Sequence, residues 1–199
     1  MNYLAHIYLS RDHELLTIGN FMADHVKGNR YKLYSPELQK GILLHRQIDS
    51  YTDAHQLVRK SKRRLDDRYG LYRGIIIDIL YDHMLAKNWV DYSDVALDTY
   101  TQSFYKLLNH NYDVLPEKVQ YMSKYLIEGD WLLSYATVGG IEKVLDGMNR
   151  RTGGKSNMNL AINDLVEHYD DFENDFKLFF KDLCNFSDNK LLEINKMYD

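Results

Sequence analysis

Within Gly41-Ile-Leu-Leu-His-Arg-Gln-Ile-Asp-Ser-Tyr-Thr-Asp53, His45, Asp49 and Asp53 are spaced i, i+4, i+8. At ~100° per residue each step drifts by only ~40°, so the three form one stripe along a helix. A stripe of imidazole and carboxylate is a candidate metal face. Any one of these acids alone reads more simply as part of a solvated face beside Arg46. Three further clusters change that balance: His6; Asp24-His25; and Asp78 with Asp82-His83. Asp78 and Asp82 repeat the i, i+4 spacing inside the apolar run Ile75-Ile-Ile-Asp-Ile-Leu-Tyr-Asp-His-Met-Leu85, where a carboxylate is costly unless paired or metal-bound. For Asp78 the simpler expectation is structural, such as a pair with Arg46, whereas Asp82 is expected to be a metal ligand. Asp53 lies two turns and so ~12 Å along the axis from His45, too far to share its ion directly.

Imidazole and carboxylate donors without thiolate suit a divalent ion such as Mn²⁺, Fe²⁺ or Mg²⁺ more than a structural zinc. Such an ion polarises a phosphoryl oxygen and lowers the pKa of a bound water, so hydrolysis of a phosphate ester is the natural chemistry. Arg46 is positioned in sequence to clamp phosphoryl oxygens. A histidine outside the metal shell, His6 or His83, would protonate the leaving alkoxide. His13, His55, His110 and His168 sit among polar neighbours and read as surface residues. His25 points ~100° away from Asp24 on a helix and is not assigned.

The elements that must carry these residues are helical. The chain has only two prolines, Pro36 and Pro116, and no alternating run long enough for a strand, so an all-α domain of about seven helices is expected. After an N-terminal segment with His6, a first helix over 12–26 stops near Gly28, and Gly19 within it implies close packing or a break. Ser35-Pro36 marks the start of a second helix, predicted to run to about Tyr69 with a bend near 50–52. The apolar face of 71–89 is wide enough for a central helix. Helices follow over 93–108, 116–127, 138–148 and 158–180, the last with aromatics at core spacing. One domain over 1–186 and a polar tail over 187–199 are expected.

A chain of 199 residues with 45% hydrophobic and 27% charged residues has globular composition, and no stretch approaches the ~20 apolar residues of a membrane span. The single Cys184 gives no disulfide framework, and the first residues lack a secretory signal, so a cytoplasmic location is expected. Net charge of −4 argues against general nucleic-acid binding. The block Arg59-Lys-Ser-Lys-Arg-Arg64 is the exception in charge, reading either as a dock for an acidic partner or as a solvated helix end.

The ordered blocks Met1-Asn-Tyr-Leu-Ala-His-Ile-Tyr-Leu-Ser10, Gly19-Asn-Phe-Met-Ala-Asp-His-Val-Lys-Gly28, His45-Arg-Gln-Ile-Asp49, Asp78-Ile-Leu-Tyr-Asp-His-Met-Leu85 and Val144-Leu-Asp-Gly-Met148 together resemble the acyl carrier protein phosphodiesterases, a divergent branch of the HD phosphohydrolase superfamily. The resemblance implies an HD-like helical core and an enzyme that removes the 4′-phosphopantetheine arm from holo acyl carrier protein, with Mn²⁺ as the favoured ion. By matching position it implies Asp24, His45, Asp49 and Asp82 as metal ligands with His6 close by. The usual contiguous His-Asp pair is absent; only Asp-His occurs, at 24–25 and 82–83. Acyl carrier proteins are small and acidic, so Lys27, Arg30, Arg59, Lys60, Arg63 and Arg64 are expected to receive the substrate.

Two other readings compete. A phosphohydrolase of nucleotides or other small esters would share the metal but not the dock, and a non-enzymatic helical protein that binds a partner through the basic block would need the dock but no metal. No oligomeric state follows from the sequence.

Overall fold

A computed structural model describes residues 1–198, and among them there are eleven α-helices, several short 3-10 turns and no strand. The expectation of an all-helical chain holds, with more and shorter helices than seven. Among the described residues no helix is long and apolar enough to cross a membrane.

The N-terminal segment is itself a helix, α1 (Tyr3–Leu9). Its first backbone N–H groups have no local cap. Instead Asp82 reaches across from another helix and accepts from Leu4 N at 2.7 Å and Ala5 N at 3.2 Å. A carboxylate among the orphan donors of a helix N-terminus satisfies both the hydrogen bonds and the dipole. α2 (Glu14–Met22) follows and gives way to 3-10 turns at Ala23–His25 and Gly28–Leu33.

α3 (Pro36–Ala54) starts at Pro36 as expected, with Ser35 at the cap position. Its crossing with α2 is unusually close: a Cβ on Gly41 would lie 2.0 Å from the Leu16 carbonyl oxygen, and one on Gly19 2.3 Å from that of Leu38. Only glycine fits at both points, so Gly19 marks close packing and not a break. The long helix expected to reach Tyr69 ends at His55, whose extended backbone (φ −70°, ψ 133°) separates α3 from α4 (Gln56–Arg64). His55 caps the new helix by accepting from Leu57 N at 3.3 Å.

After a 3-10 turn at Asp67–Tyr72, α5 (Arg73–Lys87) runs through the middle of the molecule with Ile76, Ile77 and every residue from Ile79 to Ala86 buried. It packs against α1, α4, α9 (Val138–Arg151) and α11 (Tyr169–Asn195), which is why its apolar pattern covers nearly the whole circumference. α6 (Leu97–His110), α7 (Glu117–Glu128), the short α8 (Trp131–Ser134) and α9 (Val138–Arg151) form one side. The last segment divides at His168 into α10 (Ala161–Glu167) and α11 (Tyr169–Asn195). The stretch expected as a polar tail from Ser187 is the final third of α11, because Ser187, Leu191 and Ile194 recur at helical spacing and are buried.

Candidate active site

α1, α2 and α3 meet at a pair of imidazoles. His6 on α1 and His45 on α3 are both buried and stack with ring centroids 4.0 Å apart and planes 19° apart. Between their Nδ1 atoms lies one acceptor, Asn20 Oδ1 on α2, at 2.9 Å from His6 and 3.2 Å from His45. The amide cannot be reversed, since Asn20 Nδ2 donates to the His6 carbonyl and to Ser10 Oγ, both at 2.9 Å. Both Nδ1 atoms are therefore the protonated donors, and both Nε2 atoms face the other way.

What they face is carboxylate. Asp49 places Oδ1 3.1 Å from His6 Nε2 and Oδ2 3.1 Å from His45 Nε2, and Asp24 Oδ1 is 3.2 Å from His45 Nε2. Two imidazole lone pairs aimed at two acids repel unless a cation, either a proton or a metal, lies between them. Ligand atoms of His6, His45 and Asp49 all fall within 4.8 Å of one another. Nitrogen and oxygen donors with tautomers fixed from behind by an amide suit a divalent ion of the Mn²⁺ or Fe²⁺ kind.

The electrostatics agree with that requirement. Burial, and then the neighbouring His45, lowers His6 to about 4. Burial also acts to lower His45, but the hydrogen bonds it donates to Asp24 and Asp49 outweigh it and raise it to about 9. Burial acts to raise Asp49, yet the two imidazoles hold it well below the usual carboxylate range. Asp24 is likewise lowered, chiefly by its bond with His45. Without metal, then, the site holds one proton on His45 and leaves His6 neutral. The side is open: the side chains of Asp24 and Asp49 are 63% and 40% exposed.

The remaining expected residues fall elsewhere. Asp82 is not brought to the cluster, because its oxygens are taken by the α1 N–H groups; burial raises it to about 7 against those bonds. His83 has both ring nitrogens engaged elsewhere, Nδ1 2.7 Å from the Tyr135 carbonyl and Nε2 2.8 Å from the Tyr169 hydroxyl, and bonds no member of the imidazole cluster. One guanidinium nitrogen of Arg46 donates to the carbonyls of Val26 and Gly28 at 2.9 and 2.8 Å, above the Tyr31 ring, and so straps down the turn after Asp24. Asp78 does not pair with Arg46 but with the Met1 amino group at 3.1 Å, which is also 3.9 Å from Asp49. Asp53 binds Lys62 at 2.9 Å, away from the centre.

Part of the basic block is already paired within the chain. Lys60 and Arg64 bind the buried Asp175 of α11, with Ser61 and Tyr81 completing the network. Lys27, Arg30, Arg59 and Arg63 are exposed and form no ion pair among the described residues. The residue that sequence reasoning missed is Asn20. Its one signal was a neutral polar side chain in the apolar stretch Leu15–Met22.

The chain matches the family model described as acyl carrier protein phosphodiesterase over residues 1–183, and it belongs to that family. A curated acyl carrier protein phosphodiesterase of Photorhabdus laumondii is 34% identical, with 96% of each chain covered. That of Pectobacterium atrosepticum is 33% identical over 90% of this chain and 94% of its own, and that of Yersinia enterocolitica 30% over 96% and 99%. No solved structure gives a significant match.

Proposed function

We propose that this protein is a divalent-metal-dependent phosphodiesterase that cleaves the bond between the carrier's serine and its 4′-phosphopantetheine arm, giving apo carrier and phosphopantetheine. The observation that carries the reading is the pair of imidazoles whose Nδ1–H groups share Asn20 Oδ1 while both Nε2 atoms converge on Asp49 and Asp24. His6, His45, Asp49 and Asp24 would hold the ion. Bound there, it would polarise a phosphoryl oxygen and acidify a water near neutral pH. Kinship to the HD phosphohydrolases agrees with this donor chemistry, with His45 and Asp49 one helical turn apart in place of a contiguous pair.

The protein's own groups supply orientation. Asn20 fixes both imidazoles, Asp82 holds the start of α1 and hence His6, and Arg46 holds the turn that carries Asp24. A phosphodiester on a macromolecule suits the open side of the site, since small esters are usually enclosed. The free cations Lys27, Arg30, Arg59 and Arg63 supply positive charge for an acidic carrier.

The test is incubation of chelator-treated protein with holo acyl carrier protein, with and without Mn²⁺, followed by mass spectrometry. Loss of the arm only with metal is expected. A carrier mass unchanged with Mn²⁺, Mg²⁺ and Fe²⁺ alike would sink the reading, and hydrolysis of a nucleotide ester instead would favour the small-substrate alternative.

A further inference from the structure

A depression of ≈ 540 Å³ lies between the end of α3, α4 and the start of α5, lined by Asp53, Lys62, Leu71, Gly74, Ile75 and Asp78 among others. We propose that it receives the prosthetic arm of the carrier: a slender, uncharged chain of methylene and amide units. The proposal rests on the carrier-protein reading above.

Its position comes first. Asp53 is one helical turn beyond Asp49 on α3, and Asp78 joins the Met1 amino group that also approaches Asp49. Through the Met1 amino group the floor of the depression connects to Asp49, the acid that faces both imidazoles. It is open to solvent, which suits a chain laid along the surface more than an enclosed small molecule.

Its lining comes second. Leu71 and Ile75 give one wall, and Leu71 is 98% exposed. That leucine stands on a braced turn: Asp164 accepts from Asp66 N and binds the Tyr69 hydroxyl, and Arg73 pairs with Asp67. The cations at the rim are already neutralised, Lys62 by Asp53 and Arg73 by Asp67, so the wall favours a neutral chain over a second phosphate. Asp78 at the floor offers an acceptor to amide N–H groups.

Gly74 gives the third observation. It lies in the first turn of α5, where alanine is the better helix former. A Cβ there would meet only the flexible end of Lys62, at 3.5 Å from Nζ and 3.7 Å from Cε. Folding does not require this glycine, and a larger side chain would fill the depression. A local rule broken without structural need marks a functional surface.

The experiment compares wild type, Gly74→Ala, Gly74→Leu and Leu71→Ser by steady-state kinetics on holo carrier with Mn²⁺, by calorimetric titration with free 4′-phosphopantetheine, and by thermal melting. Gly74→Leu is expected to raise KM and weaken phosphopantetheine binding by about tenfold or more, and Leu71→Ser by about threefold, as loss of apolar pocket contact does. Gly74→Ala should melt no lower than wild type. Unchanged KM and phosphopantetheine affinity in both Gly74→Leu and Leu71→Ser would overturn the proposal; should Gly74→Leu fold poorly, the exposed Leu71 decides alone. If wild type leaves holo carrier intact, the carrier reading itself fails and takes the proposal with it.

Discussion

His6 and His45 are stacked, their ring centroids 4.0 Å apart, and a single side-chain oxygen of Asn20 accepts from both. Two imidazoles so close resist being cationic together: burial and then His45 lower His6 to about 4, while the bonds to Asp24 and Asp49 overcome burial and raise His45 to about 9. Asn20 is the residue on which this arrangement turns. Asn20→Ala is expected to weaken Mn²⁺ binding by ~10–100-fold, the usual effect of losing the partner behind a metal-binding histidine. It should also cost ~1–3 kcal/mol in denaturant melts through the buried donors it strands. Unaltered Mn²⁺ affinity would remove Asn20 from the site.

The two histidines predict a stability maximum for the metal-free protein. His45 is raised above its ordinary 6.5, so its contribution is complete below pH 6.5 and lost as pH rises through about 9. His6 is lowered, so below 6.5 the unfolded chain takes up a proton that the folded one refuses until about 4. From the two histidines alone stability in chelator should peak near pH 6.5, with up to ~3 kcal/mol lost toward pH 9 from His45, while Asp82, raised to about 7, opposes the low-pH limb. Added Mn²⁺ must displace the His45 proton, so near neutral pH uptake should release about one proton per site, measurable by calorimetry in buffers of different ionisation enthalpy. Uptake without proton release would contradict the protonated His45.

Asp82 separates architecture from chemistry. Asp82→Asn is expected to destabilise the fold by ~1–3 kcal/mol, because an amide cannot accept from both Leu4 and Ala5 N–H groups. At a temperature where the variant is folded, its Mn²⁺ affinity should stay within about threefold of wild type, whereas a lost ligand costs far more. A tenfold loss would make Asp82 a ligand after all.

Neighbouring arginines should differ sharply. Arg64 bonds Asp175, 3% exposed in the core, so Arg64→Glu leaves a buried acid facing another and is expected to unfold the chain or cost ~3–5 kcal/mol. Arg63→Glu should leave the melting temperature nearly unchanged and act, if at all, on the KM for carrier and its salt dependence. Equal melting temperatures for the two variants would refute the Asp175 latch.

Helical class, the α5 core segment and the His45–Asp49 turn could be read from periodicity because each is a local pattern. The rest depended on distant partners. α1 is capped by Asp82, 78 residues away, so nothing near Asn2 signals it. α3 ends at His55 without a glycine or proline, and α11 continues past Ser187 because three spaced residues find a core to enter. Asp82 and Arg46 looked chemical because a charged side chain in an apolar run fits ligation and capping equally well. Only the positions of Leu4, Ala5, Val26 and Gly28 separate the two. Charge also concealed pairing: Lys60 and Arg64 belong to a latch whose acid lies on the last helix.

The cap on α1 also sets an order of events during synthesis. His6 leaves the ribosome early, but α1 has no partner for its first N–H groups until Asp82 has followed, and Asp82 belongs to the helix around which the interior condenses. Asn20, Asp24, His45 and Asp49 can all emerge while His6 still lacks its place. If the imidazole cluster takes an ion, a nascent chain can offer it the full donor set only once α5 is out and folded, which would bind loading to completion of the core.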